Sequence, residues 1–189
     1  NAFNWEKEFD EIINDGGFDV VIGNPPYIKA GVKDEEYQKQ RAYLNTSTEY
    51  VTLKEKWDYY VAFIEKGLHL LKERGELSFL ISDSYALSEF SEESKKYIFD
   101  NFHFKKIDFF PNIKLFKNAN VKNIILTVDD KKSDNLPTER ILHDCEFDNM
   151  IKLENTTDPQ KIFRFEDYEL DKFSKNSKLL SEICLVTKG

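Results

Sequence analysis

The stretch Phe18-Asp19-Val20-Val21-Ile22-Gly23-Asn24-Pro25-Pro26-Tyr27-Ile28 decides how this chain is read. Its opening residues are an apolar, β-branched run, the pattern of a strand buried on both faces of a sheet. The run stops at Gly23, and Pro25 and Pro26 cannot supply the N–H groups a strand ladder needs. In an open α/β sheet, ligands bind beyond the carboxyl ends of the strands. Asn24 to Tyr27 falls at such an end, on an expected central strand, so the segment is either a rigid turn or a site.

The residue types give the second reading chemical content. An Asn side chain offers a carbonyl oxygen as acceptor, and the carbonyl of Pro25 is a second one. Consecutive prolines hold the backbone in an extended, stiff path, so both acceptors keep fixed directions. Two fixed acceptors match a planar exocyclic amino group, whose two hydrogens point in defined directions. An aromatic amine is a poor nucleophile because its lone pair is delocalised into the ring. Acceptors that pull on its hydrogens favour a tetrahedral nitrogen with the lone pair aimed at an electrophile. Tyr27 adds an aromatic face on which a planar ring can stack.

Working outward, Phe3 to Ile13 reads as a short amphipathic helix with Phe3, Phe9, Ile12 and Ile13 as candidate buried positions, followed by the turn cluster Asn14-Asp15-Gly16-Gly17. Residues 29 to 55 are polar, with Tyr37, Tyr43 and Tyr50 spread through them, and read as a loop with broken helical turns. Tyr60, Val61, Phe63, Ile64, Leu68, Leu70 and Leu71 recur at helical spacing within Trp57 to Arg74, and Gly75 is a plausible stop. Leu77 to Ile81 reads as the next strand. Ser91 to Asn101 reads as a helix with Ser91 as N-cap, then Phe104 to Phe110 and Val121 to Val128 as strands. Strands alternating with helices imply a largely parallel sheet covered by helices. The last two strands, joined by the short Pro111 to Asn120 segment, are expected as antiparallel neighbours. Beyond Asp129 to Asn135, Thr138 to Leu142 and Lys161 to Phe165 are candidate short strands.

Composition narrows the class. The 16 Phe and 9 Tyr are ample for a packed interior, and no window approaches the roughly 18 apolar residues of a membrane span. Cys145 and Cys184 form no CxxC pair, which suggests a reducing, cytoplasmic setting. A net charge of −8 argues against a free-standing nucleic-acid binder and leaves open a catalytic lobe gripping DNA through other parts. The start at Asn1 and the end at Lys188-Gly189, directly after the strand-like Ile183 to Val186, lead us to expect a piece of a longer protein.

Asn24-Pro25-Pro26-Tyr27 after a strand resembles the catalytic motif of S-adenosylmethionine-dependent amino methyltransferases. The full stretch is similar to adenine-N6 DNA methyltransferases of the gamma motif order, including type IIG restriction–modification enzymes. Lys56 to Gly67 is similar to the helix after the target-base loop in that family. Leu70 to Ile81 is similar to its LLKPGGxLxFI helix–turn–strand segment, with Glu73-Arg74 in place of Pro-Gly and Ser82-Asp83 where a proline is usual. Leu115 to Val121 is similar to the VFxxAxV segment before the final hairpin strand. The resemblance covers roughly residues 15 to 130.

The resemblance implies a partial Rossmann-like α/β methyltransferase sheet with an antiparallel edge hairpin. Residues 1–135 would be the C-terminal part of the catalytic domain, and 136–189 a linker and the start of a target-recognition domain. Double-stranded DNA would be the partner, with the target adenine rotated out of the helix into the pocket. Asn24 and the Pro25 carbonyl would hold its N6, with Pro26 stiffening the motif and Tyr27 and Phe116 flanking the ring; Phe116 as ordinary interior packing is the alternative. S-adenosyl-L-methionine would be bound mainly by elements outside this chain, because nothing before Phe18 matches the glycine-rich FxGxG turn. The isolated chain is therefore expected to bind the methyl donor poorly and to be inactive. Leu179 to Gly189 looks like the opening of a target-recognition domain, with a generic amphipathic strand as an equal alternative.

Other residues carry less. His69, His103 and His143 lack a second ligand at metal spacing, Cys145 and Cys184 lack a nucleophile context, and the nuclease signature of spaced acidic residues followed by Glu-x-Lys on a strand is not recognisable. Asp58 is either a substrate contact or an acidic residue at a helix N-terminus. Two further functions stand beside DNA adenine methylation: a protein-glutamine or RNA-base methyltransferase, and a non-catalytic specificity module with a methyltransferase-like fold.

Overall fold

The computed structural model describes residues 3–54, 56–111, 113–117, 121–130, 136–144, 149–153 and 155–164. Two short helices, α1 (Trp5–Glu8) and α2 (Asp10–Asn14), lead into β1 (Phe18–Gly23). After the motif come α3 (Glu35–Thr46), α4 (Tyr59–His69) and β2 (Leu71–Ser82). Next are α5 (Ser84–Leu87), a 3-10 turn at Glu89–Ser91, α6 (Glu92–Asn101) and β3 (His103–Phe110). β4 (Asn123–Asp129), β5 (Glu139–Asp144), β6 (Asn149–Lys152) and α7 (Pro159–Ile162) complete the described elements.

The strands form one six-stranded sheet in the order β1-β2-β4-β3-β5-β6. β1 and β2 run parallel, β4 is antiparallel to both β2 and β3, β5 is parallel to β3, and β6 is antiparallel to β5. The β3–β4 pair is the expected antiparallel one, but β4 is inserted between β2 and β3, so the sheet is mixed rather than largely parallel. The described part of the connection from β3 to β4 contains no crossover helix, and a parallel partner would require one. β5 and β6 lie past residue 135 and continue the same sheet.

Matched registers stack the interior on one face. Leu77, Phe79 and Ile81 of β2 stand opposite Val128, Leu126 and Ile124 of β4, which in turn stand opposite Phe104, Ile107 and Phe109 of β3. All nine side chains are buried. Trp57, α4 (Tyr60, Ile64, Leu68), Tyr85, Ile98 and Phe163 belong to the same apolar cluster. α4 lies close against β2 because Gly67 has no side chain there. A Cβ at Gly67 would stand 2.5 Å from Leu77 Cδ1, inside any real contact distance.

Several local expectations change. The strand expected to be central and buried on both faces, β1, lies at the edge of the described sheet, with Val20 53% and Ile22 79% exposed. An apolar run reports strand character without saying which neighbours cover it. The N-terminal helix breaks into α1 and α2 at Phe9, and neither buries a residue. The helix from residue 57 ends at His69 instead of Arg74, because Leu70 and Leu71 join the ladder, with Phe18 N–H donating to the Leu70 carbonyl at 2.8 Å. Gly75 sits in an irregular stretch of β2, where an added Cβ would meet the Phe18 carbonyl at 2.8 Å. Ser91 heads α6 without capping it; its hydroxyl donates to the carbonyls of Tyr85 and Ser88. Of Lys161 to Phe165, Lys161 and Ile162 belong to helix α7, not to a strand. Leu179 to Val186, Cys145 and Cys184 lie outside the described residues.

Candidate active site

Asn24 to Tyr27 leaves the carboxyl end of β1, at the end of the sheet where β2 runs on to Ser82. Asn24 and Pro26 are exposed, Pro25 is buried and Tyr27 is half-buried. Among the described residues the Asn24 carboxamide and the Pro25 carbonyl have no hydrogen-bond partner. The two acceptors predicted from the sequence are thus free, on a backbone stiffened by proline. They border an open cleft of about 1270 Å³ whose walls include Ile22, Tyr43, Tyr50, Phe63 and Lys66.

The far end of Tyr27 is anchored in the sheet. Its hydroxyl donates to the Leu80 carbonyl at 3.1 Å and accepts from Asn123 Nδ2 at 3.0 Å. Burial pushes the phenol pKa up, and the Asn123 bond opposes that shift only in part.

The chain beyond the motif is tied to α4 at two places. Close to the motif, the Tyr59 N–H donates to the Ile28 carbonyl at 3.0 Å, and the Ala30 N–H donates to Asp58 Oδ1 at 2.9 Å. The second Asp58 oxygen accepts from the Tyr60 hydroxyl at 3.0 Å. Both oxygens of Asp58 are therefore engaged with the protein, which favours a fastening role over a substrate contact. Desolvation drives the Tyr60 pKa upward. Farther along, Glu65 is 1% exposed and accepts from the N–H groups of Val51 at 2.6 Å and Thr52 at 3.0 Å, and from the Thr52 hydroxyl.

Between these fastenings the expected loop contains a full helix, α3. Asp34 caps it, accepting from the N–H groups of Glu36 and Tyr37. Its one buried residue is Arg41, whose guanidinium lies 4.2 Å from the Trp57 ring centre and donates to the Trp57 carbonyl. Weak apolar periodicity hid this helix, although the Asp34 cap was a readable start signal.

Phe116 is half-buried on the β3–β4 connection. The register joins Phe110, Asn123 and Ser82 across three strands, so this connection leaves the same end of the sheet as the motif. No ring contact between Phe116 and Tyr27 occurs among the described residues. The structure thus brings Phe116 to the motif's end of the sheet without bringing the two rings together. Sequence reasoning missed Asn123 and Glu65, since a lone polar residue inside a strand or helix gives no local signal of its partner.

The histidines have local partners: His69 faces the Tyr97 hydroxyl at 3.3 Å, His103 faces Asp129 at 3.1 Å and His143 faces Asp108 at 2.8 Å. Among the described residues no three His, Cys, Asp or Glu side chains converge as a metal site. Nor is any helix among them long and apolar enough to cross a membrane.

Over residues 1–116 the sequence matches the family described as Eco57I restriction-modification methylase. The chain belongs to that family. It is 34% identical over 104 residues to the type II methyltransferase M.BstVI of Geobacillus stearothermophilus, covering 54% of this chain and 17% of that protein. It is 25% identical over 118 residues to the type II restriction enzyme and methyltransferase RM.Eco57I of Escherichia coli, covering 62% and 12%. The chain thus spans less than a fifth of these relatives. Among solved structures, the type IIL restriction-modification enzyme MmeI in complex with DNA superposes with a TM-score of 0.62 at 13% identity, over 84% of this chain and 21% of that one. The type IIG restriction endonuclease BpuSI gives 0.51 at 24% identity, over 68% and 15%. These likenesses establish a shared fold with the family's sheet.

Proposed function

We propose that this chain is the target-amine half of a DNA methyltransferase that methylates the N6 amino group of an adenine turned out of the duplex. The observation that carries the reading is the pair of free acceptors, the Asn24 carboxamide and the Pro25 carbonyl, at the carboxyl end of β1. Each accepts one hydrogen of the amine. The nitrogen would then be held tetrahedral with its lone pair directed out of the ring plane. A donor bound by the rest of the polypeptide would supply the methyl group, its S–CH3 bond breaking with the electron pair left on sulfur, and the amine would release one proton to water. Tyr27 and Phe116 flank the adenine ring.

S-adenosylmethionine is the proposed source of the methyl group. The described residues do not amount to a holder for it. The cleft beside Asn24 is bordered by the exposed edge of β1 and has no glycine-rich turn approaching it. The donor-binding half is therefore assigned to preceding elements of a longer polypeptide, in a gamma order. A target-recognition domain is assigned to the polypeptide beyond the sheet, and the whole to a cytoplasmic restriction–modification system.

The test combines the longer polypeptide, labelled methyl donor and duplex DNA. Label is expected at adenine N6 in the unsubstituted protein and is expected to be lost with Asn24→Ala. Transfer unaffected by that substitution overturns the assignment. Calorimetry on the 189-residue chain alone is expected to show weak donor binding.

A further inference from the structure

We propose that Asn123 is a positioning residue for Tyr27, setting the direction of the phenol and with it the plane of the ring offered to the target base. This inference rests on the function proposed above. Asn123 opens β4 and is 1% exposed, opposite Ser82 of β2 and Phe110 of β3. Its Nδ2 donates to the Tyr27 hydroxyl at 3.0 Å and to the Ile81 carbonyl at 3.3 Å, which uses both amide hydrogens. Rotating the amide by half a turn would set its oxygen against the Ile81 carbonyl, so the orientation is fixed. The Tyr27 hydroxyl must then accept from Asn123 and spend its own hydrogen on the Leu80 carbonyl, 3.1 Å away.

This arrangement fixes what Tyr27 can do. With its hydrogen donated and an amide occupying its oxygen, the phenol is an anchor, and the ring face is what remains for a substrate. Pro25 and Pro26 hold the backbone end of the residue, and Asn123 with Leu80 holds the far end. Residues distant in sequence are thereby coupled across the tips of β1, β2 and β4.

Asn at this position carries a cost. Its Oδ1 is buried without a hydrogen-bond partner, an unfavourable feature that an apolar residue would avoid. Strands favour β-branched and aromatic residues and are depleted in Asn. The donor toward Tyr27 is what only the amide supplies here.

Three variants of the longer polypeptide test the coupling: Tyr27→Phe, which removes only the hydroxyl; Asn123→Asp, which keeps the shape and replaces the donor by an acceptor; and the two combined. Turnover is measured at saturating DNA and methyl donor, together with KM for the donor, the melting temperature and the fluorescence of 2-aminopurine at the target position. Each single variant is expected to lower turnover about tenfold, the scale set by losing the Asn123–Tyr27 hydrogen bond that both remove, with the donor KM unchanged within about twofold. The combined variant is expected to be no slower than the slower single one. Emission from 2-aminopurine is expected to rise in all three, because the ring no longer stacks firmly on the extruded base. Additive losses overturn the inference, as does an Asn123→Asp protein that melts lower but turns over normally. Slow turnover in Tyr27→Phe with normal turnover in Asn123→Asp overturns this inference and leaves the proposed function standing. Absence of adenine transfer in the unsubstituted protein removes that function and this inference together.

Discussion

β1 and β4 are written in nearly the same alphabet, yet they occupy opposite environments. Asn-Ile-Ile-Leu-Thr-Val-Asp of β4 is paired on both sides, and six of its seven residues are buried. Phe-Asp-Val-Val-Ile-Gly of β1 pairs only with β2 among the described strands, and none of its residues is fully buried. Apolar β-branched sequence therefore specifies a strand but leaves its neighbours open. The strand that carries the motif is the one whose surroundings are incomplete.

The contrast can be broken most severely from the interior side. Leu126→Ala in β4 is expected to destabilise the chain by about 2–5 kcal/mol, read from the urea midpoint at constant m. A loss below about 1 kcal/mol would mean that β4 is not the centre of the sheet. At the exposed side, Asn24→Ala is expected to lower methyl transfer by the longer polypeptide about 10²–10³-fold, by analogy with removing one preorganised hydrogen-bonding group. The same substitution should leave the urea midpoint of the 189-residue chain unmoved, since the side chain has no partner to lose.

Glu65 fastens the chain beyond α3 to the buried side of α4. Glu65→Gln is expected to destabilise by about 1.5–3 kcal/mol, because a buried carboxylate accepting several hydrogen bonds is replaced by a neutral amide. Hydrogen exchange at Val51 and Thr52 should accelerate; unchanged exchange there would refute the fastening. The smallest effect belongs to the edge. Ile22→Ala is expected to shift the stability of this chain by less than about 0.5 kcal/mol, as for an exposed position. In the longer polypeptide the loss should grow to about 1–3 kcal/mol if further elements cover β1. Equal losses in both would show the edge to be equally bare in each.

Much of this was legible in the residues. The strand–motif junction at Gly23-Asn24, the antiparallel pairing of β3 with β4, and the free acceptors are encoded in patterns within a few residues. The helical stripe of α4 was visible, although its end was not, because Leu70 and Leu71 suit a helix or a strand equally and the ladder to Phe18 decides. The exposure of β1, the insertion of β4 between β2 and β3, and the Tyr27–Asn123 bond depend on contacts between distant parts of the chain. No local pattern encodes those. α3 was hidden for a different reason: its one buried side chain is Arg41, set against Trp57, and its apolar contacts with the interior come from the half-buried Tyr37 and Leu44.

Asp58 and Glu65 fasten the backbone at Ala30 and at Val51 and Thr52, so the chain between them is a closed loop with both ends fixed to α4. Loop-closure entropy grows only logarithmically, and doubling such a loop costs about 0.6 kcal/mol. Residues can therefore be inserted or deleted in the turns on either side of α3, at 31–33 and 47–50, without moving the motif. Length variation among relatives is expected to concentrate in those two turns, beside the site but outside the bonds that hold α3 to Trp57 and Tyr59.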